Sequence, residues 1–99
     1  MRLFAALVLA SLAITMTFAQ SSKQVFPTGN ASMPFSAAVK ADGLIYVSGV
    51  LAAGAGDIKA QTKQVLDNIG ATLKTAGSSL ANAASVTVYL KNPSDFPAM

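Results

Sequence analysis

Asp57-Ile58-Lys59-Ala60-Gln61-Thr62-Lys63-Gln64-Val65-Leu66-Asp67-Asn68-Ile69-Gly70-Ala71-Thr72-Leu73-Lys74-Thr75-Ala76 is the stretch whose reading decides the fold. Ile58, Thr62, Val65, Leu66, Ile69, Leu73 and Ala76 recur at three- and four-residue steps, so the spacing predicts an α-helix with one dry side. Lys59, Lys63, Gln64, Asp67 and Lys74 fall mostly on the other side. Asp57 is placed to cap the first turn, and Lys74 followed by Gly77 supplies a last-turn cation and a stop. Gly70 weakens the interior by about 1 kcal/mol relative to alanine, which is understandable if a neighbour packs close to it. Such a helix needs an apolar surface to lie on. The runs on either side of it, Leu44 to Gly49 and Ala84 to Leu90, are the candidates.

Upstream, Gln24-Val25-Phe26 predicts a short strand, followed by a turn over Pro27-Thr28-Gly29-Asn30. Asn30-Ala31-Ser32 matches the N-glycosylation pattern formally, a three-residue match that is common by chance. Phe35 to Lys40 and Leu44 to Ser48 read as two extended stretches joined at Asp42-Gly43, a dipeptide suited to a tight hairpin turn. Downstream, Leu80 is expected to point inward. Val86, Val88 and Leu90 then alternate with Thr87 and Tyr89, so Ala84 to Lys91 is expected to form a strand lying parallel in the same sheet after a right-handed crossover. Tyr89 is expected to pack against a sheet neighbour, Lys91 and Asp95 to be solvated, Asn82 and Asn92 to occupy turns, and the residues after Asn92 to begin a new turn or helix. A three-stranded sheet with a helix on one face leaves its other face bare. More chain or more subunits are expected to cover it.

The N-terminus has a different character. Arg2 precedes the mostly apolar run Leu3 to Ile14, and Thr17-Phe18-Ala19 puts small residues three and one positions before Gln20. The pattern predicts a signal peptide over residues 1–19, removed on export to a periplasmic or extracellular space, with residues 20–99 as the working domain. A retained membrane anchor is the competing reading, but the run is short of the roughly 20 apolar residues that a spanning helix needs.

Composition narrows the chemistry. Removing 19 of the 99 residues leaves 80, near the size at which a single core is only marginally stabilising, and without cysteine no disulfide supplements it. Loss of Arg2 lowers the net charge from +3 to +2, with six scattered lysines and no other arginine, so no nucleic-acid partner is expected. The chain has no histidine, cysteine, tryptophan or glutamate. Zinc sites built from cysteine or histidine, Cys-His pairs and Ser-His-Asp triads are therefore excluded within it, and no metal site is expected.

Pro34 to Val39, Tyr46-Val47-Ser48-Gly49, Asp57 to Ile69, Ala76 to Leu80, and Val86 to Asn92 through Asp95-Phe96 together resemble the RidA (YjgF) family of enamine/imine deaminases. The resemblance runs from about Val25 to Met99, corresponding to the N-terminal two-thirds of the family's domain, and the Ala60-Gln61-Thr62 run in its helix context carries most of it. It implies an α+β, chorismate-mutase-like fold in which a mixed sheet containing a βαβ unit is backed by helix, with the C-terminal part missing here. It further implies a homotrimer with active sites in the clefts between subunits, no cofactor, and hydrolysis of 2-aminoacrylate-type enamines and imines to 2-oxoacids and ammonia.

By the same resemblance the family's serine-glycine pair falls on Ser48 and Gly49 and its pocket tyrosine on Phe35, which are the substrate-binding candidates. The family's asparagine, arginine and glutamate positions fall beyond Met99, so no catalytic residue is assigned and the chain is expected to be inactive alone. Met33 stands where the family usually has glycine, Val50 where it usually has glutamine, and the loop before Asp57 is shorter. On chemistry alone, Ser48 and Gly49 either offer a hydroxyl and an approachable backbone N–H or simply end a strand. Phe35 is either an apolar pocket wall or a core or interface aromatic, without a hydroxyl to donate. The alternative reading is a non-catalytic exported protein, structural or binding a small ligand. Intact-mass measurement on protein from the producing cell tests the leader: a species beginning at Gln20 is expected, and soluble cytoplasmic material retaining residues 1–19 contradicts it.

Overall fold

A computed structural model describes residues 22–54 and 56–99; the expected leader over residues 1–19 lies outside them. Three short strands, β1 (Gln24–Phe26), β2 (Ala38–Ala41) and β3 (Leu44–Val47), form an antiparallel sheet in the order β1-β2-β3. Helix α1 (Ile58–Thr75) follows, then 3-10 turns at Leu80–Asn82 and Pro93–Asp95.

The hairpin is set by its turn. Ala41 pairs with Leu44, leaving Asp42 and Gly43 as a two-residue loop with φ of 51° and 79°. Both angles are left-handed, the combination that lets a two-residue turn follow the twist of its strands, and Asp-Gly tolerates it. The register then pairs Ala38 with Val47, Val39 with Tyr46 and Lys40 with Ile45. Val25 of β1 pairs with Val39. Because side chains alternate across a strand, Ala38, Ile45 and Val47 share the face toward α1, and Val25, Val39, Ala41, Leu44 and Tyr46 share the opposite one. Burial follows this division in part, since Val39 and Ala41 on the opposite face are also half-buried. Ala38 is buried and Ile45 and Val47 are half-buried, whereas Val25, Leu44 and Tyr46 are 50%, 53% and 59% exposed.

Helix α1 starts and stops as its sequence dictates. The Asp57 carboxylate accepts from the Ala60 N–H at 2.9 Å, satisfying one of the donors left over in the first turn. At the other end Gly77, at φ +86°, donates to the Lys74 carbonyl at 3.1 Å, and the Ser78 N–H reaches the Leu73 carbonyl at 2.8 Å. These two bonds form a Schellman stop. Lys63 and Asp67 pair across one turn at 2.6 Å on the exposed side, a contact that adds little to stability. A Cβ on Gly70 would meet Leu80 Cδ1 at 3.7 Å, ordinary contact, so Leu80 is the near neighbour anticipated there.

Four expectations need correction. Ala84 to Lys91 forms no strand, and among the described residues none of its N–H groups donates to a backbone carbonyl. Alternation supplies a face, but a strand also needs a ladder partner, and this segment has none among the described residues. Tyr89 consequently packs on no sheet and is 93% exposed. Leu66 is exposed and borders a surface groove with Lys59, Thr62 and Lys63. Leu80, though near Gly70, is itself partly exposed. Among the described residues the buried hydrophobic core is Ala38, Leu73 and Ala76, and no helix there is long and apolar enough to cross a membrane.

The caps are tested by substitution. Asp57→Ala is expected to lower stability by about 1 kcal/mol, and Asp57→Asn by less because the cap oxygen is kept. Gly77→Ala is expected to cost about 1 kcal/mol or more, since an L residue is forced into a left-handed angle. Urea unfolding reads both, and unchanged midpoints contradict these roles.

Candidate functional site

The candidate site grows from the open end of the β2–β3 hairpin. Just past the last ladder pair, the Ser48 N–H donates to the Ala37 carbonyl at 3.0 Å, and Ser48 Oγ donates to the same oxygen at 3.1 Å. Ser48 is thereby held by main chain and side chain together, half-buried at the strand end. By alternation from Tyr46 it belongs to the face away from α1. Gly49 comes next and is exposed, and a Cβ built on it would meet nothing within 4 Å. A ligand therefore has room to approach the backbone there.

Phe35 lies two residues before Ala37, and Val50 two residues after Ser48, on the segments that leave this pair. Phe35 is 51% exposed and Val50 half-buried. Phe35, Ser48 and Gly49 each retain accessible surface, and Phe35 is two residues along the chain from Ala37, the partner of Ser48. The corner is an open ledge. Two surface cavities among the described residues, about 400 Å³ beside Lys59, Thr62 and Leu66 and about 230 Å³ between Phe26, Pro27, Ala37, Ala71 and Thr75, contain none of the three residues.

Charged groups are positioned elsewhere. Asp42 sits in the turn at the far end of the hairpin, Asp57 caps α1, Asp67 pairs with Lys63, and Asp95 lies in the last 3-10 turn. Lys91 is exposed and makes no ion pair with Asp95 among the described residues. Asn82 and Asn92 occupy turns, Asn82 within the first 3-10 turn and Asn92 capping the second. Among the described residues no cluster of three potential metal ligands occurs.

Two helical residues were missed in the sequence as loop anchors. Gln61 Nε2 donates to the Gly56 carbonyl at 2.9 Å and Gln64 Nε2 to the Ala53 carbonyl at 3.4 Å, tying the connection after Val50 to α1. Gln64 Oε1 is buried without a partner. The available signal was a pair of amides in the first two turns of a helix entered from a glycine-rich loop, whose carbonyls need donors.

The antiparallel sheet with its helix is an α+β arrangement consistent with the RidA chorismate-mutase-like fold. The model of the family described as Endoribonuclease L-PSP matches residues 27–99, and the chain belongs to that family, RidA/YjgF. A RutC family protein of Pyrococcus horikoshii is 42% identical over 87 residues, covering 78% of this chain and 69% of the relative. A RutC family protein of Synechocystis sp. is 34% identical over 94 residues, covering 87% and 69%. The 3-aminoacrylate deaminase RutC of Acinetobacter baylyi is 37% identical over 73 residues, covering 67% of this chain and 58% of the relative. The chain therefore spans only 58% to 69% of the length of these relatives. No solved structure matches.

Proposed function

We propose that the chain supplies the substrate-holding corner of an enamine/imine deaminase site and, by itself, binds without turning over. The reaction class is hydrolysis of a 2-aminoacrylate-type enamine through its imine. Water adds to the imine carbon, the C–N bond breaks, and ammonia leaves a 2-oxoacid. The observation carrying the reading is the Ser48–Gly49 pair, a fixed hydroxyl beside an unobstructed backbone, in a chain 37% identical to a relative named 3-aminoacrylate deaminase. The Gly49 N–H is a neutral donor suited to a carboxylate, and Ser48 Oγ, whose one hydrogen goes to the Ala37 carbonyl, donates to a ligand only by exchanging that bond. An RNA-cleaving role, which the family's printed description evokes, finds less support, because this corner has no cation to hold phosphate.

Absence of turnover follows from the chain's own groups. Carboxylate orientation by a bidentate fork needs arginine, and Arg2 is the sole one, within the expected leader. Activating water needs an acid or base within about 3 Å of its proton path. There is no glutamate or histidine, and the four aspartates are placed at the far turn, the helix cap, the Lys63 pair and the last 3-10 turn. Identical copies share these omissions. A non-catalytic exported binding protein is the second reading, and the same omissions favour it.

We further propose export with loss of residues 1–19, and association of the mature chain's domain into a homotrimer whose subunits cover the Val25, Val39, Leu44 and Tyr46 face and enclose the Ser48 corner. The exposed apolar side chains of that face and the very small core support it. Purified chain is expected to form 2-oxoacid from freshly generated enamine no faster than buffer; robust turnover lost on Ser48→Ala contradicts the inactivity. Light scattering on the complete domain is expected to give three times the chain mass, and a stable monomer at every concentration contradicts the trimer.

A further inference from the structure

We propose that Asn30 is the attachment point of an N-linked glycan. The inference goes beyond the proposed function; its use in the cell rests on the export proposed there, and its chemistry does not. Asn30-Ala31-Ser32 has the acceptor spacing, and its surroundings supply what the bare triplet leaves open. All three residues are exposed, in the connection between β1 and β2. The Met33 N–H donates to the Asn30 carbonyl at 3.1 Å and closes a turn over them. Thr28 Oγ1 holds the other side, accepting from the Asn30 N–H at 3.2 Å and donating to the Asn30 carbonyl at 3.1 Å. Within the turn, Asn30 Oδ1 accepts from the Ser32 N–H at 3.1 Å and from Ser32 Oγ at 2.7 Å. The carboxamide is thus held by its oxygen, and Nδ2 donates to nothing among the described residues.

An amide nitrogen is a poor nucleophile because it shares its lone pair with the carbonyl. Two donors on Oδ1 stabilise the negative charge that gathers there as Nδ2 gives up a proton, so the Ser32 contacts favour the reactive form. The co-substrate is a lipid-linked oligosaccharide pyrophosphate, brought by an oligosaccharyltransferase. The bond from Nδ2 to C1 of the sugar forms and the bond from C1 to the pyrophosphate oxygen breaks. The lipid pyrophosphate leaves with that electron pair, and the Nδ2 proton passes to a base of the transferase. A second asparagine stands two residues before a serine, in Asn92-Pro93-Ser94, and serves as an internal control. Pro93 has no N–H and a fixed backbone angle, and the Asn92 side chain makes no hydrogen bond to the 3-10 turn that it caps. Its carboxamide lacks the two donors that Ser32 gives Asn30, so it is not an acceptor.

The test incubates the purified full chain with purified oligosaccharyltransferase and lipid-linked oligosaccharide, and reads intact mass and glycopeptides. One glycan per chain is expected, on Asn30, with Asn92 bare. Asn30→Gln and Ser32→Ala should lose the added mass, Ser32→Thr should keep it, and Asn92→Gln should change nothing. Unfolding exposes acceptor sites, so loss of the glycan in a variant does not come from lost folding. An unmodified Asn30, equal modification of Asn92, or a Ser32→Ala variant glycosylated as fully as the parent overturns the proposal. Translation of the chain with its own leader into microsomes tests export separately. A glycan added by the purified transferase but not in microsomes contradicts export and leaves the acceptor site standing.

Discussion

The two-residue turn at Asp42-Gly43 is the constraint on which the rest depends. By fixing Ala41 opposite Leu44 it fixes every later pair, and in a strand the pairing decides which side of the sheet each residue takes. A slip of one residue would put Tyr46 under the helix and Val47 in solvent. With the observed register, Ala38 and Val47 meet α1, while Val39, Tyr46 and, one step past the ladder, Ser48 belong to the other side. The placement of the candidate site is thus a consequence of turn geometry.

That consequence divides the chain into a satisfied half and an unsatisfied one. On the helix side, Leu73, Ala76 and Ala38 are buried, and both helix ends are closed by Asp57 and by the Gly77–Ser78 stop. On the other side, Val25 of β1 and Leu44 and Tyr46 of β3 remain in water, and the irregular Ser85 to Leu90 segment exposes Val86 and Val88. Small domains bury too little surface to tolerate such exposure readily, which is why the proposed function places a neighbouring subunit against the sheet. The proposed covering would serve the candidate site as well. An open ledge holding one hydroxyl and one glycine binds little until its water is displaced by a wall.

Local features were legible in the residues. The hairpin followed from Asp-Gly between branched and aromatic side chains, β1 from Gln24-Val25-Phe26, and the helix from its apolar spacing, with the Asp57 cap and Gly77 stop marking its ends. What escaped depended on distant partners. Val86, Val88 and Leu90 alternate well, yet alternation cannot state which edge a segment will meet, and Ala84 to Lys91 pairs with none. Leu66 belongs to the apolar stripe by spacing, yet it is exposed. Of the candidate site, Ser48 and Gly49 are named through family resemblance. The double hold of Ala37 on Ser48 and the amide anchors Gln61 and Gln64 required coordinates, because they join residues through the folded backbone.

The central claim is that the sheet face bearing Tyr46 and Ser48 is covered by other copies of the chain. The sequence has two tyrosines and no tryptophan, so a Tyr89→Phe variant leaves Tyr46 as the single reporter of that face. Its fluorescence quenching by acrylamide, followed against protein concentration alongside particle mass, is the most direct test. The account predicts that Tyr46 becomes protected as the mass rises above that of one chain. Tyr46 remaining equally accessible at every concentration, or while the particle grows, would contradict it.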